Sequence, residues 1–170
     1  MTDEQKKKIY TDAFNNEENN GGCCQCVLGS IMENCGGVSE NTFQAATAMA
    51  AGVGRNGSAC GGCTGAILAI GSFLGRDYEN FATEKGQQLK ADSSLLARKV
   101  VEKFEKEYGS MECRFIQEKL YGRSYKMYDT EDFEKFISAG GHGPNGCTNV
   151  VAKAAVWTAE ILDEAGLLKK

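Results

Sequence analysis

The chain has 170 residues, 42% of them hydrophobic, with 19 basic against 23 acidic side chains and a net charge of -4. That is one ordinary domain, large enough to bury a core without covalent staples. A mildly acidic chain with no basic stripe is a poor nucleic-acid binder, and nowhere do about 18 apolar residues run together as a membrane helix requires.

Residues 3–14 form a short polar helix candidate that passes into Asn15-Asn-Glu-Glu-Asn-Asn20, a composition that suits a loop. Cys23 to Asn34 reads as a helix with Val27, Leu28 and Ile31 on one side, stopped by Gly36-Gly37. Ser39 caps a third, alanine-rich helix from Glu40 to Ala51, ended by Gly52. From a cap at Ser58, the run through Ala66, Ile67, Leu68, Ile70, Phe73 and Leu74 is apolar nearly all round, which marks a buried helix. Residues 76–92 read as a polar connection. After a cap at Asp92 or Ser93, Leu96, Val100, Phe104 and Tyr108 recur every four residues, the clearest amphipathic stripe in the chain. Ser110 caps a short helix carrying Cys113 and reaching about Tyr121. Tyr121, Tyr125 and Tyr128, read as core or interface aromatics, precede a small helix from Glu131 to Ser138. The last helix, Cys147 to Ala165, sets Val150, Ala154, Trp157 and Ile161 on one face. No segment alternates with period two, so the fold class is all-α: a compact multi-helix bundle, with residues 1–20 as an N-terminal extension and 21–170 as a single cysteine-rich domain.

Eight cysteines carry the chemistry. The lysines near the N-terminus are not followed by an apolar run, so the expected setting is cytoplasmic, where cysteines bind metal or cycle as redox groups more often than they form structural disulfides. Cys23, Cys60, Cys113 and Cys147 each stand near a predicted helix start, after a turn-forming run. The unpaired N–H groups and positive dipole end there favour a thiolate, so these thiols are expected to ionise more readily than free cysteine. Locally, Cys23-x-x-Cys26 and Cys60-x-x-Cys63 form two pairs whose helical spacing turns both sulfurs to one side, and four soft thiolates suit zinc or an iron–sulfur cluster. The 33 residues between Cys26 and Cys60 exceed the usual zinc-ribbon gap of about 15–20. Val27 and Thr64 occupy the places where haem attachment needs histidine, so haem c is excluded. Cys24 and Cys35 read as packing residues. His142, the single histidine, is either a solvated loop imidazole or an accessory to the sulfurs. The loop Gly52-Val-Gly-Arg-Asn-Gly57 spells G-x-G-x-x-G, yet an alanine-rich helix precedes it where a dinucleotide site needs a strand, and Ser58 stands where a P-loop needs lysine. Gly52, Gly54 and Gly57 are expected to take positive φ and aim N–H groups towards the site.

The string Cys23-Cys-Gln-Cys-Val-Leu28 resembles the Cys-Ala-Gln-x-Val-Leu opening of the redox-active protein family named for its C_GCAxxG_C_C cysteine pattern. Gly52 to Ala66 resembles that family's glycine-rich loop and its Cys-Gly-Ala-x-x-Gly motif, with Gly62 in the alanine's place. Tyr108-Gly-Ser-Met-Glu-Cys113-Arg114 is similar to its third block, and Cys147 fits the fourth. The resemblance spans roughly residues 20–165 and leaves Cys24, Cys26, Cys35 and Cys63 outside the pattern. It implies a helical redox protein whose cofactor is held by Cys23, Cys60, Cys113 and Cys147; the local reading adds Cys26, Cys63 and His142 as accessory candidates. It further implies a relation to the iron–sulfur part of split-Soret cytochrome c. Cys₄ ligation is that of a [2Fe–2S] cluster. The expectation is therefore an electron-transfer protein, rather than a substrate-turnover enzyme, working with a redox partner protein and open to homodimer formation. A thiol–disulfide oxidoreductase using a CxxC pair and a structural zinc domain are the alternatives.

Overall fold

A computed structural model describes residues 1–168. Among these residues the fold is all-α, built of eight α-helices: α1 (Asp3–Asn20), α2 (Cys23–Cys35), α3 (Glu40–Ala45), α4 (Gly61–Leu74), α5 (Glu84–Tyr108), α6 (Cys113–Tyr121), α7 (Thr130–Ser138) and α8 (Cys147–Glu164). Helix α8 packs against α1, α2, α4 and α5, and α4 lies between α2, α5 and α8. No helix among the described residues is long and apolar enough to cross a membrane.

Helix α1 begins with a capping box between Thr2 and Gln5. It runs through the six residues expected to form a loop. Ile9, Ala13 and Glu17, each four residues apart, form one buried stripe against α2 and α8. Burial of that stripe overrides the turn preference of the asparagines. Ser30 Oγ on α2 donates to the Ile9 carbonyl, and Tyr10 on α1 donates to Asn149 on α8, tying the three helices together.

Helix α2 meets α4 backbone to backbone. A Cβ at Gly65 would come within 2.6 Å of the Cys24 carbonyl, and one at Gly61 would collide with the Cys23 sulfur. Gly62 differs: a Cβ there would lie 3.5 Å from Phe104 and 3.6 Å from Ala154, ordinary contact distances, so alanine fits equally well.

Four helix boundaries depart from expectation. Helix α5 starts at the Thr83 cap, well before Asp92, because its first two turns are polar and offer no apolar periodicity to read. Helix α3 stops at Ala45 and tightens into a 3₁₀ turn (Ala46–Met49). Cys60 replaces Ser58 as the N-cap of α4, since the Ser58 carbonyl is engaged with Cys113 N–H at 2.7 Å. Glu112 replaces Ser110 ahead of α6, and Ser110 instead accepts from the Glu112 N–H.

Residues 51–55 all lie at positive φ, at 50, 81, 62, 61 and 64°. Gly52 and Gly54 adopt this backbone freely, whereas Ala51, Val53 and Arg55 each bear a steric cost of about 1–2 kcal/mol. Hydrogen bonds from Gly54 N–H to Ala48 O (2.8 Å), Gly57 N–H to Ala51 O (3.1 Å) and Ser58 N–H to Gly52 O (3.0 Å) hold the left-handed turn closed.

Candidate functional site

One cavity of about 210 Å³ opens where the starts of α2, α4, α6 and α8 converge, and Cys23, Cys60, Cys113 and Cys147 all line it. Three backbone devices bring these distant cysteines together. Cys60 N–H donates to Met111 O at 2.9 Å, Cys113 N–H to Ser58 O at 2.7 Å and Arg114 N–H to Gly57 O at 3.0 Å, so the segments preceding α4 and α6 form a short antiparallel bridge. The absence of a side chain on Gly61 lets the start of α4 seat against the Cys23 sulfur. Cys147 N–H donates to Gly141 O at 2.8 Å, anchoring the glycine-rich loop that carries His142.

Each of the four sulfurs has its own donor. Ala51 N–H, presented by the left-handed turn, reaches Cys23 Sγ at 3.4 Å. The Cys63 and Gly62 N–H groups in the first turn of α4 point to Cys60. Buried Gln117 donates to Cys113 Sγ at 3.7 Å while its own Oε1 accepts from Tyr125 N–H at 2.9 Å. The Tyr121 hydroxyl reaches Cys147 Sγ at 3.6 Å and Gly141 O at 3.3 Å.

The expectation of readily ionised thiols is corrected here. Burial raises every one of them: Cys60 to about 11, Cys147 to about 12, with Cys23 and Cys113 also displaced upward. The N–H groups at Cys60 and the hydroxyl at Cys147 do pull downward, but desolvation of a charged sulfur outweighs them. In the free protein all four sulfurs therefore carry protons near neutral pH.

The remaining cysteines are placed elsewhere. Cys24 and Cys63 are wholly buried in the packed core, as is Cys26, which donates to Gly21 O at 3.0 Å. Cys35 is half-buried at the far end of α2, beside Ile9 and Asp163. All eight are free thiols. The two CxxC pairs thus split: Cys23 and Cys60 line the cavity, Cys63 faces the core, and buried Cys26 lies against the cavity-lining Glu17.

His142 is no solvated loop residue. Its ring packs edge-on to Phe136 (5.6 Å) and Phe133 (6.5 Å) on the cavity wall, and burial lowers its pKa. Its Nε2 lies 3.7 Å from Oε1 of Glu17. Glu17 is the lining residue that sequence reasoning missed, because it fell in the supposed loop; extending the Ile9–Ala13 stripe by four residues finds it. Burial lifts its carboxyl to about 7, and Oε2 has no hydrogen-bond partner. Arg55 also lines the cavity, with its guanidinium 5.0 Å over the Phe133 ring. Of the three tyrosines, Tyr121 lies on the site, Tyr125 is buried beside Phe136, and Tyr128 is 64% exposed and outside the core.

A single ion gathers sulfur ligands at about 2.3 Å from one point. Among the described residues no three His, Cys, Asp or Glu side chains close to that degree. The four sulfurs stand around the cavity.

The model of one protein family, described as "Putative redox-active protein (C_GCAxxG_C_C)", matches residues 22–161. No curated protein and no solved structure matches the chain.

Proposed function

The chain belongs to the C_GCAxxG_C_C family of redox-active proteins, and from that premise we propose that it is an electron-transfer protein in which Cys23, Cys60, Cys113 and Cys147 hold an iron–sulfur cluster of the [2Fe–2S] type. The observation that carries this reading is the convergence, around one cavity, of four cysteines from four separate helix starts, each sulfur met by a donor from outside. Cys₄ is the ligand set of such a cluster, and N–H and O–H groups directed at its sulfurs are among the features that set its potential. When bound, the cluster supplies reversible one-electron transfer.

The chain's own residues fit that group. Gln117 and Tyr121 orient and stabilise two sulfurs, the first turn of α4 does so for Cys60, and the left-handed turn does so for Cys23. Phe133, Phe136, Met127, Ile116 and Val150 form an apolar part of the lining and limit water, which favours low-dielectric redox chemistry over hydrolysis of the metal bonds. Because burial holds the free thiols protonated, loading must displace their protons and is expected to steepen with rising pH.

The same raised pKa values weigh against a thiol–disulfide enzyme, which needs an accessible thiolate.

Protein produced and purified without oxygen is expected to be brown, with visible charge-transfer bands that bleach on reduction with dithionite and an electron paramagnetic resonance signal appearing in the reduced form. Colourless protein holding one zinc per chain under those conditions would overturn the reading.

A further inference from the structure

Glu17 remains unexplained by a four-cysteine centre. It is 3% exposed, lines the cavity, and its Oε2 is buried with no partner. An unpaired carboxyl in such a position costs stability and is retained only where something compensates it. The chain offers little compensation: the Cys26 thiol reaches the carboxyl but is shared with the Gly21 carbonyl, Glu17 makes no ion pair with Arg55, and its one charge-capable neighbour within 4 Å is the His142 ring, itself disfavoured as a cation by burial. Its charge is felt at Cys23, Cys60, Cys113 and Cys147, ranking first among the neighbouring charges at Cys23 and Cys60 only, and it lines the same cavity as all four.

The donor inventory is therefore larger than four sulfurs. Four thiols and one carboxyl, five acids in all, face one cavity together with an imidazole nitrogen and a single guanidinium. Removing the five protons would leave a charge that one guanidinium cannot balance, whereas metal cations can. Carboxylate oxygen and imidazole nitrogen are harder donors than thiolate and suit the same iron in a more oxidised or less sulfur-rich environment.

We propose that Glu17 and His142 are reserve metal ligands of this cavity, an oxygen and a nitrogen donor that can each take the place of one of the four sulfurs. The inference rests on the metal-centre reading above and goes beyond it by adding two ligands, both outside the family's cysteine pattern and one of them, Glu17, outside the matched residues 22–161. A centre with more donors than a four-coordinate pair of irons requires can exchange one protein ligand for another. Loss of a single cysteine on the Glu17 side of the cavity is then survivable.

The test uses full-length, reduced, metal-free protein titrated anaerobically with cobalt(II), and in parallel protein reconstituted with iron and sulfide. Glu17→Gln preserves the shape of the side chain, and His142→Ala removes the second donor. Each is expected to weaken cobalt(II) binding by at least about tenfold, to shift its ligand-field bands, and to change the resonance spectrum of the reconstituted iron centre. Cys23→Ser should keep a modified iron centre, whereas Cys23→Ser combined with Glu17→Gln should hold none. Folding is checked separately, since Glu17→Gln removes a buried charge and the metal-free variant is expected to unfold no earlier than the parent. Ligand-field bands and resonance spectra identical to the parent in both single variants would refute the assignment while leaving a Cys₄ centre standing. Cobalt(II) binding that depends on Glu17, in protein that never assembles an iron–sulfur centre, would uphold it and retire the iron–sulfur reading instead.

Discussion

The wall of the cavity and the seam between α2 and α4 directly behind it contain the same residue type at neighbouring positions, yet they are built to opposite ends. Cys23 and Cys60 face open volume and receive donors at their sulfurs; Cys24 and Cys63, one and three residues further along, are wholly buried where helices touch. Burial raises the thiol pKa in both regions. What distinguishes the wall is space beside the sulfur: Cys24 too has a donor, the Thr64 hydroxyl, but no open volume. Cysteine at a helix start is therefore not activated by the helix dipole alone: in a desolvated pocket the dipole and N–H groups offset only part of the cost of the charge, and a bound cation must supply the rest.

The sharpest way to break this contrast is to substitute one cysteine at a time and measure metal per chain after anaerobic reconstitution. Cys113→Ser is expected to abolish the chromophore or nearly so. Cys63→Ser should keep it, while lowering stability by about 1–3 kcal/mol through a buried hydroxyl without a partner. Cys26→Ser should fall between, since its thiol lies against Glu17 and holds the Gly21 carbonyl. Equal metal loss from Cys63→Ser and Cys113→Ser would erase the distinction between wall and seam.

A second, smaller effect belongs to the wall alone. Glu17 ionises near pH 7 in the folded chain against about 4.5 unfolded, so between those values the folded state holds a proton that the unfolded state has released. Stability of the metal-free protein is therefore greatest below about pH 4.5 as far as this group is concerned, and it declines as pH rises to about 7, by on the order of 3 kcal/mol. His142, with its pKa lowered by burial, acts in the opposite sense, losing stability as pH falls through 6.5 and below. Urea unfolding of parent and Glu17→Gln across this range should show the decline in the parent and its absence in the variant. Parallel curves would mean that the carboxyl is not held protonated.

The smallest effects belong to the seam. Gly65→Ala places a methyl group 2.6 Å from the Cys24 carbonyl and should cost about 1–3 kcal/mol by forcing α2 and α4 apart. Gly62→Ala restores the family's alanine where there is room for it, and is expected to be neutral or to stabilise by less than about 1 kcal/mol by stiffening the unfolded chain. Thermal unfolding of the two variants separates them, and a Gly62→Ala loss as large as that of Gly65→Ala would contradict the packing described for the seam.

Much of this molecule can be read from the chain alone. The all-α class follows from apolar spacing and from the absence of period-two alternation, and the order of the helices from turn residues such as Gly36-Gly37, Gly75 and Gly109. The positions of Cys23, Cys60, Cys113 and Cys147 at helix starts follow from the glycine runs that precede them. These are local properties, set by residues within a turn or two of one another. Helix starts with a silent apolar pattern, such as the first turns of α5, were illegible for the same reason.

Three features were decided only by the tertiary structure. Which cysteines share a cavity depends on the pairing of residues 58–60 with 111–113 and on the close approach of Gly61 to Cys23, contacts between segments about 40 to 50 residues apart in the chain. Whether a thiol at a helix start ionises depends on how much water the neighbouring helices exclude, and here exclusion prevails over the dipole. Glu17 belongs to the site because α1 is held against α2 and α8 through its last turn, where asparagine-rich sequence by itself favours a loop. Local sequence sets the propensity of each segment, but long-range burial sets the environment of its side chains, and in this protein the chemistry of the sulfurs and of Glu17 resides in that environment.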